Sequence, residues 1–335
     1  MSFTDRLLGD SAGFVQVVMA AMGDRLGLWQ DLATHGPATS IQLARRMGLS
    51  ERHVREWLAA MAAAHYLDYD DASRTYSLDA ERAAVLAEAG GRDFLGGLAQ
   101  LLVSYAKPYE RLVETFRTGG GVPQSAYPET TFHAHDRASE AWYEHHLVQR
   151  WLPAAGLVER LEAGVAICDV GCGGGIALVK LAQAFPRSRF VGYELFGPNV
   201  HRARQRAARA GVGDRVQFHQ LDAAAGLPAR FDVIMTFDVV HDAIVPQQLV
   251  NAIHDGLMPG GTYLCLEPRC GNRDALLYGI SVMYCMPTSL AHGGVGLGAC
   301  GVHDEQLRAM AANAGFRSVS EVPIEDRFNR LYALI

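Results

Sequence analysis

The chain has 335 residues, of which 49% are hydrophobic and 20% are charged, and its net charge is −6. This length exceeds what one ordinary hydrophobic core supports and predicts two domains. The acidic balance gives no general reason to expect nucleic acid or an anionic membrane as a partner. No apolar run approaches the roughly 20 residues that span a bilayer, and the amino terminus lacks the pattern of a signal peptide. We therefore expect a cytoplasmic protein.

Six cysteines are spread along the chain without a Cys-x-x-Cys pair or a zinc-ribbon spacing. We expect them to stay reduced, as thiols do in a cytosol, several of them as small buried residues in strands. The pattern disfavours a metal held by cysteines. The six are Cys168, Cys172, Cys265, Cys270, Cys285 and Cys300.

A winged helix is predicted near the amino terminus. The segment 41–67 has the form of a helix-turn-helix, and two short β-like runs then flank a turn at 70–73. Helices followed by a small hairpin make such a module. We assign residues 1–120 to this domain.

The charge of this module bears on its role. Residues 1–90 contain eight arginines and no lysine against twelve Asp or Glu residues, a net charge of −4. DNA-binding modules normally carry a basic surface that neutralises phosphates. Dimerisation is therefore favoured over DNA binding, and we expect a homodimer formed through this domain.

A helical linker that contributes to the substrate pocket is predicted over 121–160, beginning in a loop rich in Gly and Pro. Residues 161–335 then alternate between strands and helices. Apolar runs separated by helical segments indicate parallel strands with covering helices, so we predict a doubly wound α/β domain. Its seven strands are predicted at 165–171, 189–195, 215–222, 231–238, 261–268, 318–324 and 329–335.

A glycine-rich turn follows the first of these strands. Gly171, Gly173 and Gly175 let the backbone turn tightly and approach a ligand closely ahead of the next helix. Glu194 ends the second strand, where a carboxylate can accept two ribose hydroxyls, and Asp222 ends the third. Because the turn lacks a clear pyrophosphate cradle, an adenosine without phosphates is the ligand that fits better.

These motifs together resemble the class I S-adenosylmethionine-dependent methyltransferases, which have a Rossmann-like seven-stranded sheet. The resemblance covers about 165–335, and small-molecule methyltransferases of this group also carry an amino-terminal winged helix that dimerises. It implies that Gly171 and Gly173 pass the methionine moiety, that Glu194 holds the ribose, and that Asp222 with Ala223 holds the adenine. The matching positions are Asp169, Gly171, Gly173, Glu194, Leu221, Asp222, Phe237, Asp238 and 257–261.

His241 and Asp242 follow the fourth strand, at the sheet edge where ligands of open α/β sheets bind. Three roles are open for this pair. The first is a structural role for both residues. The second makes His241 a general base oriented by Asp242. The third makes both residues bind a metal together with His292. The stretch that carries His292, at 289–300, is rich in glycine and otherwise has little to hold an imidazole.

With a histidine at position 292, this stretch resembles the corresponding stretch of the metal-dependent α-keto acid C-methyltransferases of peptide antibiotic pathways. The resemblance implies that His241 and His292 hold a metal, with Asp242 as a third ligand or beside them, and iron is favoured over zinc. A 2-oxo acid would bind the cation through its carboxylate and keto oxygens, and the metal would acidify its C3–H for methylation.

Two alternatives stay open. One is a metal-free O-methyltransferase in which His241 is the base. The other is a DNA-binding regulator that senses S-adenosylmethionine. For a keto acid, the arginine that would bind its carboxylate is not identified, and the candidates by position are Arg111, Arg137, Arg269 and Arg273.

Overall fold

The computed structural model describes residues 1–271 and 274–335. The chain forms two compact units, of which the first contains Met1–Ser104 and His133–Ala141 and the second Tyr105–Phe132 and Trp142–Ile335. This division differs from the predicted boundaries after residues 120 and 160, because segments distant in sequence pack within one unit. Arg137 pairs with the buried Asp24 of the first unit at 2.7 Å.

The first unit contains the predicted winged helix. Trp29 and Trp57 lie at its centre with ring centroids 4.6 Å apart, and each indole N–H donates to a carbonyl of the first helix. Two short strands, β1 (Asp68–Asp70) and β2 (Thr75–Ser77), pair antiparallel as the wing. The helices are α1 (Phe3–Leu26), α2 (Leu28–His35), α3 (Ser40–Met47), α4 (Glu51–Ala63), α5 (Ala80–Leu86) and α6 (Gly96–Tyr105).

Helix α1 presents an apolar surface to solvent. Monomers rarely leave a long contiguous apolar patch exposed without a function for it. The exposed side chains recur along the whole helix, with fractional exposures from 47% to 76%. They are Phe3, Leu7, Leu8, Phe14, Val15, Met22 and Leu26.

The second unit is built on a seven-stranded sheet, as predicted. Its strand order is β5-β4-β3-β6-β7-β9-β8, in which β3 to β7 are parallel and β9 runs antiparallel to both of its neighbours. The strands are β3 (Ala166–Val170), β4 (Arg189–Glu194), β5 (Val216–Gln220), β6 (Phe231–Phe237), β7 (Leu257–Pro268), β8 (Val319–Val322) and β9 (Asn329–Leu334).

Helices cover both faces of this sheet. Consecutive residues of β3, Ile167 and Cys168, belong to two separate apolar clusters, because side chains alternate across a strand. Of the α-helices that follow α6, α8 (Glu129–Trp142) lies mostly in the first unit. Those in the second unit are α7 (Tyr109–Thr118), α9 (Leu152–Ala154), α10 (Val158–Ala163), α11 (Ile176–Ala184), α12 (Gly197–Arg209), α13 (Pro246–Asp255), α14 (Ala275–Ile280), α15 (Met286–Leu290) and α16 (Asp304–Ala314).

Two π-helical segments interrupt these helices, Tyr143–Trp151 after α8 and Ser281–Cys285 after α14. Short 3₁₀ turns lie at Gln124–Ala126, Ala223–Ala225 and Val240–Asp242. Such π-helical turns occur frequently at functional sites.

The expectation that all six cysteines are reduced is wrong for two of them. Cys270 and Cys300 form a disulfide with Cα atoms 5.4 Å apart. The fold brings together two residues that are 30 positions apart, which sequence spacing does not reveal. The four other cysteines are free and buried, as expected. Among residues 1–271 and 274–335, no helix combines the length and apolarity needed to cross a membrane.

Candidate active site

The glycine-rich turn between β3 and α11 forms one wall of the candidate site. Gly171 and Gly173 both have positive φ angles, 72° and 52°, a conformation that favours glycine. A Cβ on Gly171 would lie 2.6 Å from the Val239 side chain, whereas a Cβ on Gly173 would meet no atom within 4 Å. The glycine-rich turn is therefore packed against the residues that follow β6 at Gly171, and it has open space beside Gly173.

Two buried carboxyl groups lie beneath this turn. Glu194 accepts hydrogen bonds from the backbone N–H groups of Gly173 and Phe196, each at 2.9 Å. Burial raises the pKa of Glu194 against the lowering effect of these bonds. Burial, and then the charge of Glu194, raises the pKa of Asp169. The carboxyl groups of Asp169 and Glu194 are thus close enough for the charge of Glu194 to affect the pKa of Asp169.

Asp222 and Ala223 follow β5, where the sequence predicts adenine recognition. The Asp222 side chain is exposed and accepts from the backbone N–H of Ala224 at 3.0 Å, while Ala223 is buried. The Asp222 carboxylate thus caps the short turn that carries Ala223. Its contact with adenine stays a prediction.

Phe237 and Asp238 end β6 on the same edge of the sheet. The Phe237 ring lies 5.6 Å from Tyr143 and 6.1 Å from Trp151, both of the first π-helical segment. Asp238 has a φ of 57°, a left-handed conformation that is uncommon for residues other than glycine, although aspartate adopts it more readily than most. Its buried Oδ1 has no hydrogen-bond partner among the residues that the structure describes, and burial raises the pKa of Asp238 to about 7.

His241 is fixed by a residue that the sequence analysis did not identify. Its Nδ1 lies 2.7 Å from Oε2 of Glu267, a carboxylate only 1% exposed, so Nδ1 carries the proton and donates it. The same carboxylate accepts from the backbone N–H groups of Val239, Val240 and His241. Glu267 therefore sets both the ring orientation of His241 and the path of the turn that carries it.

The other ring nitrogen of His241 faces into the site. Its Nε2 lies 3.1 Å from Oδ1 of Asp242. Burial alone would lower the pKa of His241, but the charges of Asp242 and Glu267 outweigh burial, and the pKa lies well above its usual value.

Cys285 completes a group around this nitrogen. Among the described residues, His241, Asp242 and Cys285 offer one nitrogen, one oxygen and one sulfur that all lie within 4.8 Å of one another. Burial is the main reason that the pKa of Cys285 rises to about 12. This thiol belongs to the second π-helical segment.

His292 is not a member of that group. Its side chain is exposed, although its segment bonds to the residues after His241: Ser289 Oγ donates to the Ala243 carbonyl and Val295 N–H to that of Ile244, both at 3.0 Å. The structure thus brings His241 and Asp242 together with Cys285, and among the described residues it does not bring His292 into this group.

Pairing of strands could have revealed Glu267 from the sequence. Phe237 pairs with Leu266 across β6 and β7, so the residue after Leu266 lies beside the turn after Phe237. An acidic residue at the end of an otherwise apolar strand is the signal. Cys285 carries no comparable signal, since its position depends on a π-helical turn.

Tyr284, the residue before Cys285, packs against two other buried tyrosines, Tyr105 and Tyr127. The ring of Tyr284 stacks on Tyr105 at 4.6 Å and meets Tyr127 edge-on at 5.0 Å. The Tyr127 hydroxyl donates to the Met283 carbonyl at 2.6 Å. This tyrosine cluster fixes the second π-helical segment.

The arginine predicted for a substrate carboxylate is not identified. Arg137 is paired with Asp24, Arg269 lies 3.6 Å from Glu321, and Arg111 is exposed. Arg273 lies outside the described residues.

Family models match the two units of the chain. Residues 15–88 match an Rv2258c-like winged HTH domain, and residues 168–263 match a methyltransferase domain. The chain therefore contains a methyltransferase domain together with a winged helix.

Individual proteins extend this similarity. The ubiquinone biosynthesis O-methyltransferase of Ruegeria pomeroyi is 30% identical over 125 residues, which are 37% of this chain and 48% of that protein. The chain thus matches about half the length of this relative.

Two solved structures are similar over the whole chain. The mitomycin 7-O-methyltransferase MmcR superposes with a TM-score of 0.72 at 20% identity, covering 99% of this chain and 97% of that one. Human N-acetylserotonin methyltransferase, solved with S-adenosylmethionine, gives 0.68 at 16% identity, covering 100% and 98%. The fold is accordingly that of class I methyltransferases with an amino-terminal winged helix.

Replacing Glu267 tests the electrostatics of the site. We expect Glu267→Gln to lower the pKa of His241, because one of two flanking anions is removed, and to cost about 3–5 kcal/mol of unfolding free energy. A raised histidine pKa stabilises the fold below the ordinary value and ceases to do so as pH rises through the folded value. The stability deficit of the variant should therefore be largest in acid and smaller in alkali.

The measurement is an NMR titration of the histidine ring protons, with His241 assigned from a His241→Asn spectrum. Glu321→Gln, which alters a half-exposed carboxylate on β8, is the control. An unchanged His241 pKa in Glu267→Gln would contradict the assigned interaction.

Proposed function

We propose that this protein transfers the methyl group of S-adenosylmethionine to an acidic hydroxyl of a small molecule, with His241 as the general base. The observation that carries this proposal is the contact between His241 and the buried Glu267, which presents Nε2 of the imidazole at the carboxyl edge of the sheet. The similarity to O-methyltransferases supports oxygen as the methyl acceptor.

The residues of the glycine-rich edge fit the cofactor. The open space beside Gly173 leaves room for a ligand over the turn, and Glu194 lies beneath it, where its carboxylate can accept ribose hydroxyls. Asp222 and Ala223 would bind the adenine, while Asp169, Gly171, Phe237 and Asp238 complete the proposed cofactor set. Bound S-adenosylmethionine would supply an electrophilic methyl group on a sulfonium sulfur.

His241 would remove the proton of the acceptor hydroxyl at Nε2. Glu267 holds the ring through Nδ1 and stabilises the imidazolium that forms, and Asp242 stabilises the same cation from the other side. Because the pKa of His241 lies above its usual value, the neutral base becomes more abundant as pH rises. The methylation rate should rise in the same direction.

A second candidate is metal-assisted methylation of C3 of a 2-oxo acid. It is favoured by the convergence of His241, Asp242 and Cys285, and by the bond from the other ring nitrogen of His241 to a carboxylate, which is usual for metal-binding histidines. These three residues fit a cation, and a nitrogen, oxygen and sulfur set suits zinc better than the iron favoured from the sequence. A bound cation would supply Lewis-acid polarisation of the keto oxygen.

The winged helix would serve as a dimerisation domain. We infer a homodimer formed through the exposed apolar side chains of α1, since the net charge of −4 over residues 1–90 does not suit DNA. A regulator that senses S-adenosylmethionine would in addition require binding of duplex DNA at low salt.

The role of His241 can be separated from cofactor binding. His241→Gln should lower kcat for methyl transfer by about 10²–10⁴-fold, the usual contribution of a general base, while its affinity for S-adenosylmethionine by calorimetry stays unchanged. His254→Gln, on the last turn of α13, is the matched control and should retain activity. A wild-type kcat in the His241→Gln variant would show that His241 is not the general base.

Metal content decides between the two candidates. Elemental analysis of protein purified without chelators or a His-tag should find about one transition metal per chain if the second candidate holds. Cys285→Ala should then lose the metal, and His292→Gln should retain it; the reverse result would restore His292 as the ligand. If no metal binds even after anaerobic reconstitution with zinc or iron, only the metal-free reaction remains.

The dimer prediction rests on α1. Sedimentation equilibrium should give twice the 36.4 kDa chain mass for the wild type and a monomer for the double variant Leu8→Glu, Val15→Glu. Ile41→Glu alters an apolar side chain that is 69% exposed on α3 and should leave the dimer intact. A wild-type monomer would rule out this interface.

A further inference from the structure

The segment that supplies Cys285 begins and ends near a disulfide. Residues 274–300, here named the capping segment, contain α14, the second π-helical segment, α15 and the glycine-rich stretch. Cys270 lies two residues beyond the end of β7, and Cys300 is the last residue of the segment. The bond between them therefore joins the end of the capping segment to the sheet.

Hydrogen bonds join the glycine-rich end of this segment to the residues that follow His241. Ser289 and Val295 donate to the carbonyls of Ala243 and Ile244. Ala299 N–H donates to Ser281 Oγ at 3.2 Å, which joins the end of the capping segment to the start of its π-helical turn. These bonds are individually worth about 1 kcal/mol, so a covalent closure at the base has a large effect on whether they persist.

The two sulfur atoms differ in exposure. Cys300 is 7% exposed, whereas Cys270 is partly exposed, so a reductant reaches Cys270 first. Cys285, the remaining cysteine of the segment, is only 5% exposed. A thiol in that state is a poor nucleophile and does not compete for the bond.

We propose that Cys270 and Cys300 are a reversible redox pair that, when oxidised, clamps the glycine-rich end of the capping segment (289–300) against the His241 turn and, when reduced, releases that end. The effect on activity rests on the proposed function, because Cys285 and its neighbours border the acceptor side of that site. The residues proposed for the cofactor lie within 169–238, outside the clamped segment, so release affects the acceptor and not the cofactor.

The switching reaction is thiol–disulfide exchange with a dithiol reductant. One thiolate of the reductant attacks Sγ of Cys270, the bond to Cys300 breaks, and Cys300 leaves as a thiolate that takes up a proton. The second thiol of the reductant then displaces Cys270 from the mixed disulfide. The reductant ends as a disulfide, and two electrons and two protons have passed to the protein.

The size of the effect follows from the population of the clamped state. If release leaves the capping segment in place about a tenth of the time, the KM for the acceptor rises roughly tenfold, because apparent affinity falls with the competent fraction. The affinity for S-adenosylmethionine stays constant.

The test compares oxidised wild type, dithiothreitol-reduced wild type and the double variant Cys270→Ser, Cys300→Ser. Mass spectrometry with a thiol-alkylating reagent counts free cysteines, hydrogen exchange follows the amides of the capping segment, and methylation assays give the acceptor KM. We expect about tenfold faster exchange at Val295 in the reduced protein and in the variant. The variant should not respond to dithiothreitol, which controls for reduction elsewhere.

Two results would overturn the proposal. Air-oxidised protein with all six cysteines open to alkylation would show that the bond does not form, and equal exchange rates in the two redox states would show that it does not clamp the segment. If neither state methylates any acceptor, the proposed function fails, whereas the exchange comparison still decides the clamp on its own.

Discussion

The buried carboxylate of Glu267 is the constraint on which the rest of the candidate site depends. One side chain at the end of β7 binds the ring of His241 and three consecutive backbone N–H groups of the turn after β6. A carboxylate only 1% exposed is costly to bury without such partners. The same carboxylate therefore fixes the turn and orients the imidazole of His241.

This arrangement also explains why two adjacent residues, His241 and Asp242, have different surroundings. The imidazole lies between two carboxylates, one fixed in the core and one partly open to the site. Whatever binds at Nε2, a proton or a cation, is stabilised by the same negative field. Both candidate reactions use that field, and they differ in the species that occupies it.

Much of the fold is readable from the sequence because its signals are local. All seven strands of the second unit lie within the predicted runs or overlap them, since continuous apolar runs are typical of strands covered on both faces. The strand-end positions of Glu194, Asp222 and His241 follow directly from those runs. The residues that escaped prediction are held by long-range contacts: Glu267 through strand pairing, Cys285 through a π-helical turn, and the Cys270–Cys300 bond through a 30-residue return of the chain.

Contacts between segments distant in sequence also account for the glycine-rich stretch that carries His292. A histidine in a glycine-rich stretch suggested an inward imidazole, but glycines also let a backbone lie close to a neighbouring chain. A Cβ on Gly294 would lie 2.9 Å from the Ile244 backbone, so the glycines are needed for packing between the stretch and the turn. The composition of the stretch is thus accounted for by its backbone contacts.

The two π-helical segments have a consequence for how this protein can change. Each π turn spaces its hydrogen bonds i to i+5 and so accommodates one residue more than the α-helix around it. Deleting a single residue from Ser281–Cys285 would remove that extra residue and restore a regular helix, with the flanking helical residues still in their positions. A one-codon deletion or insertion, rather than a series of substitutions, would thus replace the side chain that faces His241 while leaving the sheet and the cofactor edge unaltered.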